Sequence, residues 1–409
     1  MSMTEKRTSF FISGLPLLFF LIPRPNIPNI QFVIIPALGI TCICIVLTLR
    51  KSIMIGKEEF FLIMLLVVFA ISIMISALLS TERFGFSVLS HILKPLFFLA
   101  VLISGFVIGF KFDEKVIKNS LLKVTYITLV AQLVVGTMHF FDLSWLDVLY
   151  SSERASGFRG ILRITGTLGN PNFFAWIITQ LILIILLLEK NIKRKFVSIP
   201  IALILLILSG SRSIILLTPL MLFSVVIFLA RKNRNFFFVK LPVFVLALVL
   251  LFAILLWFIN IFGEHFPYLN SFLRVIDVGS LAADNSFYLR LGLWESILNQ
   301  IGEGIILTWI FGLGPNIINV ADNDYLYIVA NYGLIGLALN TFIYILIYYN
   351  FSKLDDKRFA ILGKVYILFS LIIGVQAETL GGWGYQFLIM YYAGIAYAQR
   401  KKINQKGDK

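Results

Sequence analysis

Apolar positions run along this chain in long blocks broken by short polar segments. The blocks lie near residues 10–23, 32–49, 60–79, 95–110, 120–141, 172–188, 196–209, 214–230, 237–262, 325–350, 360–377 and 384–398. A bilayer core takes about 20 residues of helix, and a helix satisfies its own backbone hydrogen bonds in lipid. The pattern therefore predicts an all-α polytopic membrane protein with about 12 transmembrane helices, forming a single membrane domain over residues 1–409. The first block is short and ends at Ile22-Pro23-Arg24-Pro25. Two connecting segments, 142–171 and 263–324, are longer than turns between neighbouring spans require. Long loops on a rigid helical scaffold are where function is usually placed.

Composition removes the soluble alternative. Hydrophobic residues make up 59% of the chain and charged residues 14%, which a water-facing surface cannot accommodate. Cys42 and Cys44 lie two apart within the second block and cannot staple it, so no disulfide or metal framework is implied. Lys6-Arg7 ahead of an apolar stretch resembles a signal peptide, but no small-residue cleavage pattern follows, and a retained first span is expected.

Charge then orients the helices. With the N-terminus in the cytoplasm, 26 of the 35 Lys and Arg fall on the cytoplasmic side, and both termini are expected there. The net charge of +14 thus describes orientation in a bilayer, and nucleic-acid binding is an unnecessary reading. The six Trp (145, 176, 257, 294, 309 and 383) fall on or near the outer side, as an interfacial belt would have them. The nine other basic residues are Arg24, Arg83, Lys94, Arg154, Arg159, Arg163, Arg212, Arg274 and Arg290. Eight of these nine are Arg, whereas the cytoplasmic set holds 19 Lys and 7 Arg. Topology thins basic residues on the outside without choosing between them. A preference for Arg points to phosphate, which the guanidinium fork binds bidentately. Ordinary loop salt bridges with external acids account for Arg24, Arg83, Arg154 and Arg274, leaving Arg212 and Arg290 for function.

Four constellations carry the candidate chemistry. The first loop holds Arg159 and Arg163 and ends in Gly169-Asn170-Pro171-Asn172, where Asn170 can cap a helix that Pro171 begins. The opening amides of that helix suit an anion, although Gly and Asn are also what any turn uses. Ser209-Gly210-Ser211-Arg212-Ser213 places an Arg at a membrane rim, where it either meets a ligand or snorkels. Arg290 and Trp294 share a face at the four-residue spacing. Asp322-Asn323-Asp324-Tyr325-Leu326 puts two acids at the mouth of the tenth span without an adjacent cation, a costly arrangement that calls for a role.

These segments, followed by Gly333-Leu334-Ile335-Gly336, resemble the bacterial O-antigen polymerase and O-antigen ligase superfamily over roughly residues 150–345. The resemblance implies a GT-C-like membrane glycosyltransferase of the bacterial cytoplasmic membrane, with its active site on the extracytoplasmic face. Two Arg that grip a lipid diphosphate in the family match Arg212 and Arg290. Ligases of the family carry His where this chain has Asp322, and His91, His139 and His265 all lie outside that motif. A polymerase therefore fits better than a ligase.

The chemistry this implies needs a grip on the departing diphosphate, a base for the attacking sugar hydroxyl, and an entrance for lipid. Arg212 and Arg290 would neutralise the leaving group and Asp322 would act as the base, with Asp324 or Glu295 as substitutes. Asn170, Asn172 and Asn323 would orient sugar hydroxyls, Trp294 would stack on a sugar face, and Arg159, Arg163, Asp324 and Tyr325 complete the expected substrate surface. Asp322-Asn-Asp324 also reads as a metal motif, but a metal and two Arg would solve the same charge problem, so no cofactor is expected. Undecaprenyl-diphosphate-linked oligosaccharide is the expected donor and acceptor, giving O-antigen or capsular polysaccharide. A chain-length regulator in the membrane is a further possible partner. The alternatives are a ligase acting on a finished glycan and, from another class, a lipid-linked-oligosaccharide flippase, which should carry charge along a path through several spans.

Overall fold

In a computed structural model, the described residues are 3–24, 31–49, 55–80, 86–141, 143–146, 148–150, 163–230, 285–315, 317–318, 321–375 and 383–407, with positions 253, 257 and 261. They form helices α1 (Met3–Leu21), α2 (Gln31–Leu49), α3 (Lys57–Leu79), α4 (Phe86–Lys111), α5 (Glu114–Phe140), α6 (Pro171–Leu188), α7 (Ile192–Leu208), α8 (Arg212–Ala230), α9 (Asn285–Gly302), α10 (Ile306–Phe311), α11 (Asp324–Ser352), α12 (Lys357–Ile373) and α13 (Trp383–Gly407). Two 3-10 turns lie at Ser144–Leu146 and Gly166–Leu168. Among the described residues there is no strand, only one isolated bridge between Arg24 and Tyr150.

Six of these helices are long and apolar enough to cross a bilayer: Lys57–Leu79, Val88–Lys111, Glu114–Phe140, Pro171–Leu188, Arg212–Leu229 and Asp324–Ser352. Phe11–Leu21 and Val33–Leu49 are shorter apolar helices. The chain is a helical membrane protein, and eleven of the twelve apolar blocks coincide with helices. The block at 237–262 lies almost wholly outside the described residues.

The chain forms two compact units, divided within α5 and within α9. The first comprises residues 1–22, 27–128 and 290–409. Its tightest packing joins α4 to α13 through small residues. Gly105 and Gly109, one turn apart, meet the backbone of Tyr391 and Ile395, and a Cβ on Gly109 would lie 2.8 Å from that of Ala398. Small residues let membrane helices approach closely where no hydrophobic force separates helix from lipid. One end of this unit gathers charge. Glu58 pairs with Lys353 and Arg400, Lys118 pairs with Asp356, and Lys402 caps the Phe112 carbonyl at 2.8 Å. These residues belong to the set that sequence reasoning places on one side of the membrane.

The second unit comprises residues 23–26 and 129–289. At its centre α6 is apolar apart from Asn172, Thr179 and Gln180 and is buried along nearly its whole length, including Trp176. Trp176 is therefore a core residue, not part of an interfacial belt. Cys42 and Cys44 are both free.

Candidate functional site

In the second unit the start of α6 is built as its sequence suggests. Asn170 accepts from the amides of Asn172 and Phe173 at 2.9 and 3.2 Å, and Pro171 takes the first helical position. The cap occupies the Asn170 side-chain oxygen. Asn172, one residue into the helix, instead gathers two partners on its Oδ1. Arg163 Nη2 donates to it at 3.0 Å and Ser211 Oγ at 3.0 Å. Arg163 also donates from Nε to the Ser209 carbonyl at 2.9 Å, so it bridges the end of α7 to the start of α6. The Ser211 carbonyl accepts from Ile215 at 3.0 Å and opens α8, whose first residue is Arg212, half-buried.

Two of the expected residues, Arg163 and Asn172, therefore come together with Ser211, and a third, Arg212, is the next residue in the chain. The start of α6, the start of α8 and the Arg163 guanidinium meet at Asn172 Oδ1, and a helix start carries roughly half a positive charge. Such an arrangement favours an anion. Arg159 lies outside the described residues, as do Arg83, Arg154, Arg274 and His265. Arg24, assigned by sequence to ordinary loop pairing, is buried beside the same helix start. Its Nη1 donates to the Leu168 carbonyl at 3.3 Å and its guanidinium lies 5.4 Å from the Phe173 ring. Burial pulls its pKa down to about 10, which leaves it charged at neutral pH.

In the first unit, Arg290 and Trp294 do share a face of α9, and both reach the segment before α11. Arg290 Nε donates to Asp322 Oδ2 at 3.2 Å, and Trp294 Nε1 donates to the Ala321 carbonyl at 2.8 Å. Asp322 thus has a cation beside it in space that the sequence does not place beside it in the chain. Its side chain is 44% exposed and that of Arg290 is 32% exposed, so both can meet a ligand. Asp322 is also the one non-glycine residue at positive φ among those described, at 49°. Asp tolerates this left-handed backbone better than most residues, and strained positions of this kind cluster at functional sites.

The neighbouring residues are committed elsewhere. Asn323 caps α11 by accepting from Tyr325 and Leu326 at 3.0 and 3.1 Å. Asp324 is wholly buried; its amide donates to the Gly374 carbonyl at 2.7 Å and its carboxylate lies on the Gly374 side. Tyr325 donates to the Leu371 carbonyl at 2.7 Å. Asp322 and Asp324 therefore turn to different partners, one half-exposed and one enclosed, which does not suit a shared metal. No group of three or more His, Cys, Asp or Glu able to hold a metal occurs among the described residues. Glu295 is exposed on α9.

Further along, α11 is kinked. Gly333 adopts φ 69° and ψ −173°, and a Cβ there would strike the Ile310 carbonyl of α10. Just before it, Asn331 donates to the carbonyls of Ile318 and Tyr327 at 3.0 Å each, and its own carbonyl accepts from Ser76 at 2.7 Å. His91 Nδ1 lies 2.5 Å from the Tyr332 hydroxyl. Sequence reasoning gave no role to Ser76 or His91, and a polar residue inside an apolar span was the signal available for both.

In comparisons with known proteins, no family model matches the chain and no curated protein matches it.

Proposed function

We propose that the protein is a membrane glycosyltransferase of about twelve spans and GT-C-like architecture, with both termini cytoplasmic. It joins undecaprenyl-diphosphate-linked oligosaccharide repeat units at the outer face of a bacterial cytoplasmic membrane. The observation that carries the reading is Asp322: half-exposed, held in a left-handed conformation at the mouth of a membrane helix, with Arg290 at 3.2 Å and Trp294 beside it. A carboxylate in that setting can accept the proton of a sugar hydroxyl as the hydroxyl oxygen bonds to the anomeric carbon of the donor. The bond from that carbon to the diphosphate breaks, and undecaprenyl diphosphate leaves with the electron pair. Arg290 is the cation placed to offset charge that develops there. The cluster of Arg163, Asn172 and Ser211, with Arg212 next in the chain, supplies a separate anion grip suited to a lipid-linked diphosphate.

The test is the surface glycan of a deletion strain. One repeat unit on each anchor supports a polymerase. No glycan on the anchor means a ligase, and lipid-linked units accumulating in the cytoplasm mean a flippase; either result would overturn the polymerase reading.

A further inference from the structure

Gln132, Gly136 and His139 fall at positions i, i+4 and i+7 of α5, on one face of its C-terminal half. All three meet the turn that leads into α6. Gln132 is fully buried, and its amide makes two bonds to one residue. Oε1 accepts from the Thr167 amide at 2.9 Å, while Nε2 donates to the Thr167 hydroxyl at 2.6 Å. The approach depends on Gly166, whose φ is 53° and where a Cβ would strike Gln132 Oε1 and the Phe174 ring. Gly136 keeps α5 close, because a Cβ there would lie 3.2 Å from Ile164 Cδ1. His139 Nδ1 lies 3.2 Å from the Thr165 hydroxyl and its Nε2 3.2 Å from the Tyr150 carbonyl. Arg24 holds the Leu168 carbonyl.

We infer that Gln132 is a positioning residue that fixes the turn 164–170 so that Arg163 and Asn172, at its two ends, stand ready for a diphosphate. Thr165, Thr167 and Leu168 are each held by a different side chain from outside the turn. A simple connection between helices needs its polar groups satisfied, but not a separate brace on three of four successive residues. The braced residues begin two after Arg163 and end four before Asn172, and Arg163 bonds Asn172 across them at 3.0 Å. Fixing Thr167 therefore sets where the start of α6 lies and how Asn172 meets Ser211. A misplacement of about 1 Å in a site that binds or reacts by fixed geometry costs on the order of 100-fold. The inference rests on the anion grip assigned above, and it adds a residue that neither touches the ligand nor belongs to either loop expected to carry function.

The experiment uses the full chain in lipid nanodiscs and inorganic pyrophosphate as the probe, at a temperature where every variant stays folded. Gln132→Met keeps bulk and removes both bonds, and should weaken pyrophosphate binding at least tenfold. Thr167→Val removes only the hydroxyl bond and should fall between the two. The double variant should bind no worse than Gln132→Met, because the second change removes nothing that remains. An unchanged Kd in Gln132→Met would overturn the inference, however far its melting temperature falls. Should that variant fail to fold, Thr167→Val decides, and wild-type affinity there overturns it too. Absence of saturable pyrophosphate binding by the wild type also overturns it. Polymerisation of lipid-linked repeat units, measured on the same preparation, then judges glycosyl transfer separately.

Discussion

Replacing Asp322 with Asn separates a chemical role from a structural one, because the structure fixes how little stability the change should cost. The ion pair with Arg290 is 3.2 Å long, with its side chains 32% and 44% exposed. Pairs in such surroundings contribute roughly 0.2–1 kcal/mol after solvent screening. Asn keeps an oxygen to accept from Arg290 and tolerates the positive φ of 49°. Asp322→Asn should therefore lose at most about 1 kcal/mol, a shift of a few degrees in melting temperature. A protein with about 5 kcal/mol of stability or more stays folded after such a loss. If Asp322 takes the acceptor proton, turnover should fall about 100- to 10,000-fold. Asp322→Ala should be less stable than the Asn variant by about 1–2 kcal/mol, since Ala pays the full left-handed penalty. Asp322→Gly should fold at least as well as the Asn variant, and neither should polymerise.

The assay is chain growth from lipid-linked repeat units in proteoliposomes, read by glycan length, beside thermal unfolding of the same preparations. Asp322→His, which installs the residue that the ligases carry, should retain partial activity with a pH profile moved toward that of imidazole. Near-normal chain growth by Asp322→Asn would refute the assignment and turn attention to Glu295. Equal stability of the Ala and Asn variants would instead remove the backbone part of the reasoning.

Arg212→Lys and Arg290→Lys should both insert normally yet polymerise poorly, because an ammonium cannot reproduce the bidentate fork; normal chain length in both would count against a diphosphate grip. Polymerisation should persist in a strong chelator, and activity lost there and restored by Mg or Mn would reassign Asp322 to metal ligation. Gly333→Ala should fail to accumulate folded protein, since any Cβ at that left-handed kink strikes the Ile310 carbonyl, and normal yield would mean that the kink can be relieved. Burial opposes ionisation of Asp356, but the Lys118 ammonium and the Phe359 amide outweigh it and hold the carboxyl below its ordinary range. Because the folded pKa is depressed, that stabilisation is complete above about pH 4 and is lost only as pH falls through the folded value. The melting-temperature gap between wild type and Asp356→Asn should hold from pH 8 to about 5 and shrink below about 4.

The helices were legible because lipid imposes one rule on every span, and a continuous apolar run states compliance with it directly. The α6 start shows how far this reaches: the cap at Asn170 and the Pro171 start were readable from four residues and stand as read. Contacts across sequence were not readable. Arg290 and Asp322 are 32 residues apart, and only the packing of α9 against the loop before α11 makes them a pair. The same limit hid the difference between Asp322 and Asp324. Both looked like acids at a membrane mouth, yet one is half-exposed beside a cation and the other is wholly enclosed. Burial of a short side chain depends on which way the chain turns, and here the turn is made by the positive φ of Asp322 and the Asn323 cap, after which the Asp324 amide bonds the Gly374 carbonyl.

The polar residues inside the spans carry the part of the design that hydropathy discards. Gln132, His139, Ser76 and Asn331 are isolated interruptions in apolar runs, each buried and each bonded. Unsatisfied, such groups cost several kcal/mol in lipid, so each must have a specific partner, and those partners lie in the segments that hold the candidate residues. Gln132 and His139 hold the turn before Asn172; Ser76 and Asn331 hold the segments that flank Asp322. Each cluster is thus anchored by buried hydrogen bonds to membrane helices, while Asp322 and Arg212 retain exposure. Rigid support behind an accessible charged group is what electrostatic catalysis requires, because dipoles already in place need not reorganise as charge develops.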